Sequence, residues 1–195
     1  MKYNLSEITE IIRNRRTILP ENYAPRKVHK EIVQHILQNA TWAPSHGMTQ
    51  PWRFRVYTDD ALLKLSEDLP EFYKKFTPAE KFKESKYLRF QERPKQVSVM
   101  IFVCIEKDPT ESIPEIEEVE AVACAVQNMH LTATAYGLGG FWSSPKFLYS
   151  REFADYLGLT ERGQCLGLFF LGYPEAEWPK GHRKPLEYVS TWIDK

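Results

Sequence analysis

A ten-residue segment, 43–52, carries polar side chains suited to holding a ligand. Its sequence is APSHGMTQPW, in which Ser45, His46 and Gln50 offer hydrogen bonds while two prolines and a glycine keep out regular structure. An amphipathic helix is predicted before this polar loop and an alternating strand after it. Connecting loops placed by rigid elements often bind ligands. The alternative is a loop that only turns the chain, with His46 a surface residue.

Two adjacent arginines and a hydroxyl group stand at the end of the first predicted helix. Arg15, Arg16 and Thr17 form this arginine segment. Guanidinium groups match phosphate oxygens through paired hydrogen bonds, so the segment can clamp a phosphate. The alternative is a set of solvated cations that only complement the negative end of the helix dipole.

A glycine-rich stretch, 139–144, follows the longest predicted helix and reads GGFWSS. Glycines in such a turn let the backbone approach a planar ligand closely. The alternative is an ordinary connection from a helix to a strand. A dinucleotide-binding fingerprint is excluded because Trp142 stands where its third glycine would be. Ser143 and Ser144 lack the frame of a nucleophile elbow.

The composition excludes several classes of protein. The 195 residues suffice for one substantial core or for one subunit of an intimate dimer. The 26 basic residues balance the 26 acidic ones, so we expect neither a nucleic-acid nor a membrane partner. No secretory segment or bilayer-spanning run is visible, which favours a cytoplasmic protein. Five scattered histidines predict no metal site. Three cysteines are expected to be buried free thiols: Cys104, Cys124 and Cys165.

The order of elements predicts an α+β fold in a single domain, 1–195. Segment 97–105 is apolar almost throughout, as in a central strand covered on both faces, and 164–171 is a second buried strand. Between them, 116–136 is predicted as a buried central helix that ends at Gly137. Helices and strands do not alternate regularly, which argues against a doubly wound sheet.

The excursion 61–94 is charged and carries three prolines and six aromatic residues. We predict short, mobile helices here. They can form a lid with an aromatic underside over a ligand site. Equally, the aromatic residues can dock the excursion onto the core.

Taken in order, these motifs resemble those of the FMN-dependent nitroreductase family. They are RRT after the first helix, APSxxxxQPW after the second, GLGGFW after the long helix and RKPLE in the tail. The resemblance extends from Ile8 to Trp192 and is to the short, compact bacterial members. It implies a mixed, mainly antiparallel sheet flanked by helices, in an intertwined homodimer with two FMN sites at the interface.

The resemblance also implies which residues bind the phosphate end of FMN. Arg15, Arg16 and Thr17 match the residues that contact the phosphate and the ribityl chain. Arg183 and Lys184 match the cations of the C-terminal tail near the phosphate.

The ring of the flavin is matched by the two other motifs. Ser45 and His46 match a loop that reaches the flavin from the partner subunit, and Gln50 matches a further position of that loop. The turn against the isoalloxazine ring is matched by Trp142, Ser143 and Ser144. Met48 and Leu19 depart from the pattern, since many relatives have Asn and Arg there.

The implied activity is that of an FMN-dependent oxidoreductase. It takes hydride from NADH or NADPH and reduces nitroaromatics, quinones or similar small acceptors in a ping-pong cycle. The chemistry takes place at the flavin N5, so no catalytic side chain is required. The alternative is a flavin-binding or storage module with little turnover.

Overall fold

The computed structural model describes residues 3–194, which form six α-helices around a four-stranded sheet. The helices are α1 (Leu5–Asn14), α2 (Lys30–Ala40), α3 (Asp60–Lys75), α4 (Glu84–Gln96), α5 (Glu115–Ala135) and α6 (Arg151–Tyr156). The strands are β1 (Trp52–Thr58), β2 (Val99–Glu106), β3 (Gly139–Ser143) and β4 (Gly163–Gly172). The predicted α+β class is confirmed.

The sheet has the strand order β1-β2-β4-β3, and each neighbouring pair is antiparallel. Beyond these strands, a single parallel bridge joins Thr17 to Gly140. The predicted, mainly antiparallel sheet is therefore confirmed. The predicted central strand is confirmed as well, because β2 lies inside the sheet and is buried from Val99 to Ile105.

Alternate residues of β2 face two separate hydrophobic cores. Val99, Ile101 and Val103 pack in the core that contains α2 and α5. Met100 and Phe102 pack in the core on the other face, with α3, α6 and their neighbours. Strict alternation places successive side chains on opposite faces of a sheet, so a continuous apolar strand serves both cores.

Helix α5 ends with the predicted glycine. Gly137 has a φ of 70°, and its N–H donates to the carbonyl of Thr134 at 2.9 Å. Two residues later Gly139 already begins β3, which pairs with β4 from Gly139–Gly172 to Ser143–Leu168. The predicted turn at 139–144 is therefore wrong. The stretch is mainly an edge strand, since its backbone groups pair with β4.

The excursion 61–94 contains two long helices, so the prediction of short ones is wrong. Its aromatic side chains dock onto the core. Phe72 lies edge-on to Phe153 at 4.9 Å between ring centroids, and the Tyr73 and Phe82 rings are 5.5 Å apart. Whether the excursion closes over a ligand stays a prediction.

The three thiols are free, but they differ in exposure. Cys104 and Cys165 are buried opposite each other in β2 and β4, whereas Cys124 is exposed on α5. The prediction of a buried thiol is thus wrong for Cys124, because that residue lies on the outward face of the helix. Within 3–194, no helix is long and apolar enough to cross a membrane.

Candidate functional site

The fold brings the arginine segment and the start of β3 side by side. Thr17 forms a parallel bridge with Gly140, and the Ile18 N–H donates to the Gly140 carbonyl at 3.2 Å. The Tyr23 hydroxyl fixes the same segment by donating to the Ile18 carbonyl at 2.9 Å. The arginine segment and the start of β3 are more than 120 positions apart in the sequence, yet they are neighbours in the folded chain.

The glycines of β3 are required by contacts within the chain. A Cβ on Gly139 would lie 2.5 Å from the Cβ of Ile18. One on Gly140 would lie 2.7 Å from the Cζ of Phe169. Both distances are far below van der Waals contact. Close packing of strand, core and arginine segment thus explains the two glycines without a planar ligand.

Arg15 lies in a region of uncompensated positive charge. Burial, followed by the positive charges of Arg183 and Arg16, lowers the pKa of Arg15. Among residues 3–194, none of these three arginines forms a salt bridge. Half-buried cations that repel one another without a carboxylate are stabilised by an anionic ligand, and guanidinium groups suit phosphate or carboxylate.

Arg16 is already engaged by the backbone. Its Nε donates to the Pro179 carbonyl at 2.8 Å, and its Nη1 donates to the carbonyls of Arg13 and Arg15 at 2.5 and 2.8 Å. Gly181 packs against the same guanidinium group, since a Cβ there would lie 2.3 Å from Nη2. Arg16 therefore fastens the C-terminal tail to the end of α1, and its predicted contact with a phosphate stays a prediction.

The tail cations predicted from the sequence differ in their position. Arg183 is close enough to Arg15 to lower its pKa, whereas Lys184 is not among the groups that do so. The Arg183 Nη1 donates to the His182 carbonyl at 2.6 Å, and both residues are exposed. The contacts of Arg183 and Lys184 with a phosphate stay predictions.

The polar loop has an unusual backbone. Gly47, Met48 and Gln50 have φ values of 57°, 53° and 46°. The left-handed region is costly for a residue with a Cβ, by roughly 1–3 kcal/mol when the surroundings enforce it. Met48 is also 78% exposed, so its side chain gains little burial in return. Such strain is typical of ligand-binding loops.

Side-chain contacts hold the polar loop in this shape. His46 Nδ1 lies 2.5 Å from the Oε2 of Glu117 on α5. The Ser45 hydroxyl accepts the N–H of Gln50 at 3.3 Å, and Arg53 donates to the Gln50 carbonyl at 3.0 Å. His46 and Ser45 thus already form hydrogen bonds that stabilise the loop. This is what the alternative of a loop that only turns the chain would require.

Thr49 is a further polar residue of this loop, to which the family resemblance assigns no role. Its Oγ1 is buried and lacks a hydrogen-bond partner anywhere in the described chain. An unsatisfied buried hydroxyl costs about 1–3 kcal/mol. An internal water, a ligand or another subunit at this loop would recover that cost.

The structure does not bring the polar loop to the arginine segment of the same chain. Glu117 anchors the loop near the start of α5, while Gly140 packs on His130 near the end of that helix. At 1.5 Å rise per residue, the two positions are about 20 Å apart along the helix. A single chain therefore presents two half-sites rather than one closed site.

The end of β3 presents a mixed surface. Trp142 is 38% exposed and lies over the neighbouring strand, where a Cβ on Gly167 would be only 2.1 Å from its Nε1. Ser143 is half-buried and Ser144 is exposed. Trp142 and Ser143 follow Gly140 along β3, and Gly140 is the residue of this strand that is bridged to Thr17 of the arginine segment.

A family model matches most of the chain. The model of the Nitroreductase family matches residues 12–173. The chain belongs to this family. A relative from Bacillus subtilis (strain 168), named "Putative NAD(P)H nitroreductase YfhC", is 28% identical over 182 residues, which are 93% of this chain and 91% of the relative.

Solved structures show the same fold. A nitroreductase-like family protein from Bacillus cereus is 26% identical, with a TM-score of 0.81 and coverage of 100% of this chain and 99% of the other. A protein from Desulfovibrio desulfuricans, described as a "putative nitroreductase in complex with FMN", is 25% identical, with a TM-score of 0.71 and the same coverage of both chains.

Proposed function

We propose that this member of the nitroreductase family is a homodimeric, FMN-dependent NAD(P)H oxidoreductase that reduces nitroaromatics, quinones or similar small acceptors. The observation that carries the proposal is the cluster of Arg15, Arg16 and Arg183, which lacks a carboxylate partner within 3–194. FMN is a phosphomonoester with a flat ring, and its phosphate supplies the negative charge that the cluster needs.

The residues present fit the phosphate end of this cofactor. Arg15 and Arg183 would hold the phosphate, because neither is committed to a carboxylate and Arg15 is half-buried. The exposed hydroxyl of Thr17, fixed beside Gly140, would bind the ribityl chain. Arg16 would act on the phosphate mainly through its charge while its hydrogen bonds hold the tail.

The ring would lie along the end of β3. Backbone N–H groups of Ser143 and Ser144 would face its polar edge, with Trp142 beside it. Hydrogen-bond donors aimed at the charge that develops on reduction stabilise the reduced state. When bound, FMN supplies the hydride-accepting N5, so the protein needs no acid–base side chain of its own.

The residues on the other side of the flavin would come from a second copy of the chain. In one chain, about 20 Å along α5 separates Glu117, which anchors the polar loop, from His130, which lies behind the start of β3. A two-fold related copy would contribute Ser45, His46 and Gln50, and it would also offer a partner for the Thr49 hydroxyl. NADH or NADPH and the acceptor would occupy the remaining open side in turn, which is a ping-pong order.

The surface of the isolated chain supports such a dimer. Its accessible area is 12498 Å². A folded monomer of 22.9 kDa is expected to expose about 9,600 Å². Several large apolar side chains are exposed, with Leu5, Trp42 and Trp192 at 74%, 81% and 86% exposure. Large exposed apolar surfaces mark sites of protein association.

An absorbance spectrum followed by anaerobic titration tests the proposed activity. Purified protein is expected to carry flavin absorption, and NADH or NADPH is expected to bleach it; re-oxidation by a nitroaromatic or a quinone then completes the cycle. Protein that stays colourless after incubation with FMN contradicts the proposal. Flavin that binds but is not bleached by either nucleotide favours a flavin-binding or storage module instead.

Mixed dimers test whether two chains share each site. One chain carries Arg15→Ala and the other carries His46→Ala with Gln50→Ala. If each site uses both chains, the heterodimer has one intact site and recovers half of the wild-type flavin content, although both parent homodimers bind FMN poorly. If each site belongs to one chain, the heterodimer recovers no intact site.

A further inference from the structure

One titratable side chain beside the arginine segment is not used in the proposed function. His130 lies on α5, is 8% exposed and packs edge-on against Phe169, with 4.6 Å between the ring centroids. Its Nδ1 would be 2.9 Å from a Cβ on Gly140, so the imidazole lies directly behind the start of β3.

The imidazole has no hydrogen-bond partner in the described chain. The polar contact of this residue is made by its backbone, whose carbonyl accepts the Thr134 hydroxyl at 2.8 Å. A neutral imidazole always carries one N–H donor and one acceptor nitrogen. Within 3–194, Thr49 Oγ1 is the only fully buried side-chain nitrogen or oxygen without a partner, so the ring nitrogens of His130 reach the surface, where water or a ligand can pair with them.

The surroundings keep this imidazole neutral while the site is empty. Burial, and then the positive charge of Arg15, lower the pKa of His130 to about 4. The groups packed against the ring, Phe169 and Gly140, carry no charge. Arg15 is therefore the charged neighbour that the ring shares with the proposed anion clamp.

We infer that His130 is a further ligand-binding residue, which donates an N–H to the phosphomonoester end of the ligand beside Arg15. The inference rests on the proposed function, because it takes the Arg15 side of β3 as the place of the phosphate. The group recognised is the phosphate and not the flat ring, since the imidazole lies directly behind Gly140, which is bridged to Thr17 at the end of the arginine segment.

Two flavins that differ only in the phosphate test this role. Apoprotein is titrated with FMN and with riboflavin, for the wild type, His130→Leu and His130→Gln. The leucine side chain fills similar space without a polar atom, whereas glutamine keeps an N–H donor. We expect His130→Leu to weaken FMN binding about tenfold or more, with riboflavin binding unchanged. The glutamine variant should recover most of the FMN affinity.

Two results would overturn the inference. One is folded His130→Leu protein with wild-type FMN affinity. The other is equal loss of affinity for FMN and riboflavin, which is the mark of a purely structural role in the core. Wild-type protein that binds no flavin at all would instead contradict the proposed function.

A spectroscopic measurement keeps the test independent of flavin binding and of the folding of the leucine variant. Nitrogen-15 NMR of wild-type apoprotein resolves the histidine side chains, and the signal missing in His130→Gln identifies His130. Adding inorganic phosphate should shift that signal, and the shift should be absent in Arg15→Ala. A His130 signal that does not move at saturating phosphate contradicts the inference.

Discussion

Glu117 and His130 occupy opposite ends of the same helix, and each holds a different part of the candidate site. Glu117 pairs with His46 of the polar loop at 2.5 Å, whereas His130 lies behind Gly140 of β3. About 20 Å of helix separates them. Because α5 is a rigid spacer, the distance between the two half-sites is fixed by the fold. In the proposed dimer, a second chain would supply the complement of each half-site.

The two adjacent arginines are expected to have different roles. Arg15→Ala removes an unpaired, half-buried cation, so it should weaken FMN binding roughly tenfold or more with little loss of stability. Arg16→Ala removes donors to three carbonyls and should lower the free energy of unfolding by roughly 1–3 kcal/mol. Flavin titration and urea unfolding of both variants separate these effects, with exposed Arg13→Ala as the control. Equal effects of both variants on both measurements would contradict this division.

The two tail cations should also be distinguishable. Arg183 acts on the pKa of Arg15, and Lys184 does not. We therefore expect Arg183→Ala to reduce FMN affinity several-fold more than Lys184→Ala does. The loss of FMN affinity caused by Arg183→Ala should be smaller in high salt, because Arg183 is exposed and Arg15 is partly exposed, so salt screens their attraction for the phosphate. If Lys184→Ala lost more FMN affinity than Arg183→Ala, the prediction would be contradicted, and Lys184 rather than Arg183 would contact the phosphate.

Much of the fold was predictable from short-range patterns. The largely apolar β2, the Gly137 cap and the existence of the long helix before it follow from local hydrophobicity and backbone preference. The prediction that this helix is buried holds for one face only, since Cys124 on its outward face is exposed. The strand at 139–144 was not predictable in this way, because its pairing with β4 is a long-range contact between segments that are both rich in glycine. Glycines favour turns locally, and the register that overrides this preference appears only in the folded chain.

The site residues were predictable by motif but not by role. Adjacent Arg15 and Arg16 carry the same charge in the sequence, yet only the folded tail reveals that Arg16 bonds to the backbone. His130 stands at a core position of an amphipathic pattern and gives no sequence signal. Thr49 is visible in the sequence as a polar residue of the loop, but the burial of its hydroxyl oxygen depends on the loop conformation.

Removal of the buried Thr49 hydroxyl should affect stability and binding differently: the stability of the apo monomer should not fall, whereas flavin binding or dimerisation should weaken. Thr49→Val replaces the unpaired Oγ1 by a methyl group of similar size. Removing an unsatisfied polar atom is neutral or stabilising, so the apo monomer should be no less stable. If the cofactor or a second subunit pairs with this hydroxyl, the variant should lose flavin affinity or dimer affinity. Urea unfolding, flavin titration and sedimentation analysis together check the result. A variant that matches the wild type in all three would leave the hydroxyl without a role in the assembled protein.

Gly140 should tolerate no side chain. An alanine there would place its Cβ 2.7 Å from Phe169 Cζ and 2.9 Å from His130 Nδ1. Displacing packed rings costs about 1–3 kcal/mol, so Gly140→Ala should lower the free energy of unfolding by that amount. Ser143→Ala on the same strand is the control and should change it by less than about 0.5 kcal/mol. Thermal and urea unfolding of both variants measure this difference. A Gly140→Ala protein with the free energy of unfolding of the wild type would contradict the prediction and show that β3 can move to accommodate the methyl group.

The stability of the apoprotein should depend on pH through His130. Its pKa falls from the ordinary 6.5 to about 4 on folding, so the unfolded chain binds more protons between these values. The free energy of unfolding should therefore be constant above pH 6.5 and fall by up to about 3 kcal/mol as the pH drops to 4. Carboxylates such as Asp108, whose pKa its hydrogen bonds to Thr110 and Ser112 lower to about 2, lose their contribution only below pH 4.

Urea unfolding at pH 7, 6 and 5 measures this slope, with His130→Leu as the matched control. The variant lacks the imidazole, so its stability should change much less over the same range. Phosphate at millimolar concentration should flatten the slope of the wild type, because an anion beside Arg15 and His130 offsets the positive charge that disfavours protonation. Equal slopes in wild type and variant would mean that the imidazole titrates alike in the folded and unfolded chain, and that His130 is not held neutral behind the strand.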